Sequence, residues 1–389
     1  MVHYPTSRPG TTAPAEPEGR TVTITKDQPL DAAAEARRDA LAGQLFQAAI
    51  GSADLQAVYL GLKLGLYGAL AAAGPATATD LATRVGIDAR YAREWLEHQA
   101  VAGVVHVDDL AADPDARRFS LPAGHAEVLI DPESPWLTGP VARFFMASAQ
   151  LMPRIMEAYR TGAGVDWADY GPDVVEAQEA LNRPQFQHFV GDWIRDLPDI
   201  AARLDDGEGR VADIGCGTGW SSIWIARHFP RIAVDGIDID EGSIARAREH
   251  AAREGLSDRL SFLHADAASA DGAGRYDLVT IFEALHDMAN PVEVLAAARA
   301  LLAPRGAVLI ADERVEPTFN APTDSSDRLF YGYSIIACLP NGRVDTPSVA
   351  TGTVIRPATL EAYARAAGFT TVTIQPTAHE AFRFYRLDA

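Results

Sequence analysis

The sequence predicts an α/β fold: a mostly parallel, mixed sheet in the C-terminal half, preceded by a smaller helical domain. Three observations carry the expectation. An apolar strand, Val211-Ala212-Asp213-Ile214, runs into Gly215-Cys216-Gly217-Thr218-Gly219 and then into a segment of helical spacing, Trp220 to Ala226. Three successive apolar strands end in acids at α/β-unit spacing: Asp213, then Asp238, then Asp266. The last residues, Thr370 to Ile374 and Ala381 to Leu387, read as two strands joined by a short turn.

Taken from the N-terminus, residues 1–36 are rich in Pro, Thr, Gly and Ala, hold no signal-peptide core and read as a disordered tail. A helix is expected near Ala40 to Ile50. The apolar run Leu55 to Ala73 is long enough to raise a membrane span, but Lys63 interrupts it and Gly74-Pro75 ends it, so a buried helix is the expectation. Thr77 caps a helix that stops at Gly86, and a second helix begins at Asp88 and keeps its apolar spacing through Val104. Together they make a helix-turn-helix, with Val104 to Val107 and Arg118 to Leu121 as the strands of a wing. Residues 37–135 thus form a winged-helix domain, 136–208 a helical connector rich in aromatic and apolar residues, and 209–389 the sheet domain.

Within the sheet domain, the glycines at alternating positions let the backbone turn tightly and approach a ligand with no Cβ in the way. The helix after them turns its positive dipole end toward that ligand. A nicotinamide or flavin loop would read G-x-G-x-x-G; here the third glycine comes one residue early. The strand Ile232 to Asp240 places Asp238 about 20 residues past the loop, where a carboxylate accepts hydrogen bonds from ribose hydroxyls. Asp240 is better placed as the cap of the helix from about Ser243 to Arg253. Leu260 to Ala267, Arg275 to Glu283 and Gly306 to Asp312 supply three more strands. Pro291 to Leu302 and Ala358 to Ala367 are helical.

The D-x-G-x-G-x-G loop with its ordered acids resembles that of the class I S-adenosylmethionine-dependent methyltransferases, and the terminal hairpin resembles the antiparallel closing strand of their seven-stranded sheet. The resemblance implies S-adenosylmethionine as cofactor, held by Asp213, Gly215, Cys216, Gly217, Asp238, Ile239, Asp266, Ala267 and Phe282, with Asp266 taking the adenine amino group. The front domain resembles that of small-molecule methyltransferases of bacterial secondary metabolism and plant phenolic metabolism, where it serves dimerisation or covers the active site. Leu285-His286-Asp287 resembles the Leu-His-Asp segment of O-methyltransferases, in which the histidine deprotonates the acceptor hydroxyl. Glu313 matches the place of its helper acid; a second helper has no match. Imidazole suits the task because its pKa of about 6.5 lets it take a proton near neutrality.

Other readings of the same residues stay open. His286 is also suited to cap a helix or position a substrate. His286 and Asp287 would serve as two ligands of a non-haem iron, as in arylpyruvate C-methyltransferases that the chain also resembles. A facial triad needs a third ligand, and Ser334 to Pro340 contains Ala337 and Cys338 but no histidine; no metal is therefore expected. For substrate contacts, the aromatic connector offers Tyr170, Phe189 and Trp193. The long loop from Asp324 through Gly352 offers Arg328 and Tyr331, which suits a flat aromatic acceptor and, through Arg328, a carboxylate.

Composition bounds the function. The net charge of −19 over 389 residues repels phosphate backbones. The second helix of the helix-turn-helix mixes Asp88, Glu94 and Glu97 with Arg90 and Arg93, giving no basic face for DNA. Two cysteines, Cys216 and Cys338, offer no disulfide or zinc framework and suit a reducing cytoplasm. The expectation is a cytoplasmic homodimer, bound to neither nucleic acid nor membrane, that methylates an oxygen of a small-molecule acceptor. C-methylation, a non-methylating rearrangement that uses the bound cofactor, and a cofactor-sensing DNA-binding regulator are the alternatives.

Overall fold

The computed structural model describes residues 29–207, 209–269, 274–323 and 325–389. The expected tail lies largely outside them, and its boundary is corrected. A helix already starts at Ala32, where the Asp31 carboxylate accepts a hydrogen bond from the Ala34 N–H (2.7 Å) and an alanine-rich run follows. Residues up to Ser52 form a separate unit, whose described part is the first stretch of this helix, with Leu41, Leu45, Phe46 and Ile50 exposed along it.

The helix runs on to Lys63 and breaks at Gly65, which takes the left-handed conformation (φ +69°), before Leu66–Ala73 resumes. The apolar run is thus two elements, bent by 65°, and no single described helix is long and apolar enough to cross a membrane. Leu66, Tyr67 and Leu70 are buried in the front-domain core with Leu81, Trp95, Leu96 and Phe119. Trp95 donates its indole N–H to the Ala57 carbonyl (2.8 Å), and a Cβ on Gly61 would lie 2.4 Å from the Tyr67 ring, so the close approach there requires glycine.

The helix-turn-helix forms as its signals predict. Thr77 and Asp80 make a reciprocal capping box at the start of Ala78–Val85, Gly86 closes that helix at φ +74°, and the Asp88 carboxylate caps Ala89–Val101. β1 (His106–Val107) and β2 (Phe119–Ser120) pair antiparallel as the wing. The connector is helical throughout most of its length, with Pro140–Ser148, Met152–Thr161 and Gly171–Arg195 as its main elements.

The sheet domain follows as β3 (Arg210–Ile214), β4 (Ala233–Asp238), β5 (Leu260–His264), β6 (Tyr276–Phe282), β7 (Leu302–Glu313), β8 (Thr371–Ile374) and β9 (Phe382–Asp388). Their order across the sheet is β5-β4-β3-β6-β7-β9-β8, parallel except that β9 runs antiparallel to both neighbours. The reversal of direction in strand order at β3 and β6 opens a crevice at their C-terminal ends, the place where ligands bind in such sheets. Both faces of the central strands are covered, so they are apolar almost continuously. The expected loop from 324 to 352 is corrected: Asp327–Tyr333, a wider π-type turn over Ser334–Cys338 and Leu339–Asn341 form a continuous helical run.

Candidate active site

β3 delivers the chain to three left-handed glycines, Gly215 (φ +69°), Gly217 (φ +51°) and Gly219 (φ +85°). A Cβ on Gly215 would lie 2.5 Å from the Ala284 Cβ, whereas one on Gly217 would meet nothing within 4 Å, because Gly217 borders open space. The Gly217 N–H donates to Asp238 Oδ2 (2.8 Å), and Asp238 Oδ1 accepts from the Asp240 N–H (2.9 Å). The strand-end carboxylate thus holds the loop in shape and keeps lone pairs free on both oxygens. Burial pushes its carboxyl above the usual range against the pull of those two N–H groups. Asp266 is exposed just beyond β5, where its Oδ1 accepts from the Ala268 N–H (2.9 Å).

Asp213 does not belong to this set. Its carboxylate, 1 % exposed, accepts from the hydroxyls of Ser221 (2.5 Å), Ser222 (2.6 Å) and Thr280 (2.7 Å). It ties the start of helix Trp220–His228 to β6 from behind the glycine loop and is spent on that task.

A cavity of about 1130 Å³ lies over the strand ends. Of the residues anticipated from sequence, Gly215, Cys216, Gly217, Asp238, Ile239, Asp266, Ala267 and Phe282 line it, as do His286, Asp287, Glu313 and Phe189. Four expected substrate residues do not. Tyr170 is buried in the connector core and donates to the Ile336 carbonyl (2.8 Å). Trp193 is packed among Phe186, Phe282 and Phe384. Arg328 is exposed on the outer side of its helix, and the Tyr331 hydroxyl accepts from Arg356 (3.4 Å), away from the cavity. Helix formation over Asp327–Tyr333, which the sequence reading took for loop, is what turns these two outward; Phe330 and Tyr333 of the same helix face in.

His286 is 3 % exposed. Its Nδ1 lies 2.8 Å from Asp312 Oδ1 and 3.1 Å from Glu313 Oε2, and its Nε2 lies 3.4 Å from Asp287 Oδ1. Asp312 Oδ1 also accepts from the Glu313 N–H (3.0 Å), which fixes the carboxylate against the ring. With Nδ1–H donated to Asp312, Nε2 is the nitrogen left to accept a proton, on a ring that borders the cavity. Burial pushes the imidazole pKa down, but Glu313, Asp312 and Asp287 reverse this and hold it well above 6.5. The imidazolium holds the Asp312 carboxyl below the usual carboxylate range, while burial pushes that of Glu313 above it.

Sequence reasoning chose Glu313 and missed Asp312, its neighbour in the chain and the closer partner of His286. The choice of Glu313 rests on its match to the helper-acid place of the resembling family, and alternation along a strand would send the two adjacent side chains to opposite faces; at the end of β7 both reach the ring. It also missed Glu283, a non-glycine residue at φ +50° whose carboxylate lies 3.4 Å from the Gln178 amide nitrogen. Burial lifts the Glu283 carboxyl to about 7, outweighing the pull of His286, Asn182 and Gln178. Two donor sets have their ligand atoms within 4.8 Å of one another: His286 with Asp287 and Cys338, and His286 with Asp312 and Glu313. Cys338 comes from the π-type turn, where the sequence had suggested no third ligand; burial pushes its thiol up to about 12.

Comparison with known proteins agrees with this geometry. Residues 205–339 match a methyltransferase-domain family, and residues 55–130 match the Rv2258c-like winged HTH domain. A ubiquinone biosynthesis O-methyltransferase of Burkholderia pseudomallei is 32% identical over 171 residues, which are 44% of this chain and 68% of that protein. An uncharacterised protein of Synechococcus is 36% identical over 101 residues, 26% of this chain and 24% of its own length. A ubiquinone biosynthesis O-methyltransferase of Caulobacter is 37% identical over 102 residues, 26% of this chain and 40% of its own length, so the chain spans less than half of these two relatives. Among solved structures, the mitomycin 7-O-methyltransferase superposes with a TM-score of 0.67 at 22% identity, covering 91% of this chain and all of that one. Human N-acetylserotonin methyltransferase, solved with S-adenosylmethionine, gives a TM-score of 0.65 at 17% identity over 90% and 97% of the two chains. The left-handed glycines, the strand-end carboxylate with free lone pairs and the large cavity fit that cofactor. On fold, loop and sequence together, the chain belongs to the class I S-adenosylmethionine-dependent methyltransferases and carries an N-terminal winged-helix domain.

Proposed function

We propose that the protein methylates an oxygen of a small-molecule acceptor, with His286 as general base. The observation that carries this reading is the Asp312–His286 pair, which opens on the same cavity as the glycine loop and Asp238. Bound S-adenosylmethionine supplies an electrophilic methyl group. Gly215, Gly217, Asp238, Asp266 and Ala267 would hold it, with Asp238 accepting from ribose hydroxyls. His286 Nε2 takes the proton of the acceptor hydroxyl, Asp312 orients the ring and stabilises the imidazolium, and Glu313 and Asp287 tune its basicity. Phe189, Phe282, Phe330 and Tyr333 offer apolar walls that exclude water and suit a flat acceptor. The test is transfer of labelled methyl to an acceptor found by screening, comparing the wild type with His286→Ala. Retention of full turnover by the variant would remove the base; label on carbon would replace O-methylation.

The front domain acts, in this reading, in dimerisation and in covering the site. Leu41, Leu45, Phe46 and Ile50 on the first helix offer an apolar stripe to a second copy. On Ala89–Val101, Arg90 pairs with Glu94 and Arg93 with Asp115, leaving those charges neutralised where DNA would need them. Light scattering should give a homodimer at micromolar concentration; a monomer, or sequence-selective DNA binding, would overturn this assignment.

A further inference from the structure

Where the acceptor end of the cavity is concerned, its charge is as informative as its shape. The chain has 34 lysines and arginines, yet none is among the described residues that line the cavity. Glu283, Asp287 and Glu313 line it around His286, and Asp166, Asp345 and Glu380 line it further out. These carboxylates outnumber the cationic groups beside them. Glu313 is 8 % exposed and borders the cavity, and its Oε2 and Asp287 Oδ1 both face the one imidazole of His286, at 3.1 and 3.4 Å, which Asp312 also shares. One imidazolium cannot balance several buried carboxylates, and the surplus negative charge costs free energy that a cation or a charged donor would recover. Aromatic faces share the space: Phe282 stacks on Phe186, and Tyr333 packs with Phe144. Ring faces and carboxylates attract the same kind of ligand.

We propose that the acceptor carries a basic amine, bound as its ammonium ion by Glu283 and Glu313 within this aromatic wall. The proposal rests on the methyltransferase reading and narrows it. A carboxylate-bearing acceptor would lose its hydration among like charges with no lysine or arginine of the described lining to replace it, so the site discriminates against it as well as selecting the amine. Glu283 is the better specificity determinant, because His286 already neutralises part of the charge around Glu313. Its unusual backbone conformation and its contact with Gln178 hold its carboxylate at the wall.

The test uses the full chain saturated with S-adenosylhomocysteine and three phenols of similar size: tyramine (cation), 4-ethylphenol (neutral) and 4-hydroxyphenylacetate (anion). Calorimetry and thermal shift should rank tyramine first and the anion last. Glu283→Gln should weaken tyramine about 10-fold or more, as expected for a hydrogen bond to a charged group, and Glu313→Gln should weaken it by a smaller factor. Both variants should keep wild-type affinity for S-adenosylhomocysteine, which reports that the fold is intact. Equal affinity for the three probes, preference for the anion, or no response to tyramine would overturn the proposal. So would stabilisation by Zn²⁺ or Mn²⁺ that is lost in Glu313→Gln and excludes tyramine, because the carboxylates would then serve a metal. Failure of the wild type to bind S-adenosylhomocysteine would instead overturn the methyltransferase reading on which the proposal stands.

Discussion

Asp238→Ala tests the cofactor site without requiring a known acceptor. The wild-type carboxylate accepts from the N–H groups of Gly217 (2.8 Å) and Asp240 (2.9 Å) and keeps lone pairs for two ribose hydroxyls. Removing it frees both N–H groups, but the site is only half-buried, so water can satisfy them when no ligand is bound. The loss in the complex is then set by the hydroxyl contacts. Hydrogen bonds to a charged group contribute about 1.5–3 kcal/mol, and the two contacts share one charge and do not add fully. The expected weakening is therefore about 10- to 150-fold. Asp238→Asn should fall nearly as far, because its amide presents N–H to one of the two backbone donors. The assay is calorimetric titration with S-adenosylhomocysteine at fixed salt, with the melting temperature measured alongside. An unchanged Kd would refute the assignment of Asp238 to the ribose. A weaker Kd matched by the same loss of affinity in a loop variant that leaves Asp238 intact would reduce its role to holding Gly217.

His286→Ala should lower turnover roughly 10²- to 10⁴-fold while leaving S-adenosylhomocysteine affinity unchanged; a parallel loss of cofactor binding would show a structural role instead. Because the surrounding carboxylates raise the His286 pKa above 6.5, the neutral base gains population only as pH rises through that raised value. kcat should therefore climb on a limb centred above pH 6.5, and Asp312→Asn, which removes the charge that stabilises the imidazolium, should move that limb to lower pH; an unmoved limb would sink the assignment. Gly215→Ala places a Cβ at φ +69° and 2.5 Å from Ala284, which should cost about 1–3 kcal/mol and weaken cofactor binding, while Gly68→Ala, in a helix with nothing within 4 Å, should be neutral or raise the melting temperature. Turnover should survive a chelator; stoichiometric metal bound through His286, Asp287 and Cys338, lost together with activity in Cys338→Ala, would replace the base mechanism by a metal-assisted one.

Local chemistry was enough to read the frame of this protein. The glycine loop demands left-handed backbone, so its sequence pattern fixes its conformation wherever it occurs, and Gly215, Gly217 and Gly219 adopt it. Capping residues are equally local: Thr77, Gly86 and Asp88 mark the helix-turn-helix as they were expected to. Apolar strands ending in acids at regular spacing gave the sheet and put Asp238 and Asp266 at its crevice edge. Tertiary structure decided what those cues leave open. Asp213 precedes the loop as a cofactor carboxylate would, but only packing against Ser221, Ser222 and Thr280 commits it to the scaffold. Asp312 and Glu313 are adjacent in sequence, and their joint approach to His286 depends on where β7 ends beside the segment after β6. Residues 327–341 carry too few helical signals to oppose a loop reading, yet burial of Asp327 and Ala337 against the body of the domain makes them helical, turning Arg328 outward and Cys338 inward. The absence of lysine and arginine among the described cavity-lining residues is likewise invisible in a sequence that contains 34 of them, since charge selectivity belongs to the surface that folding assembles.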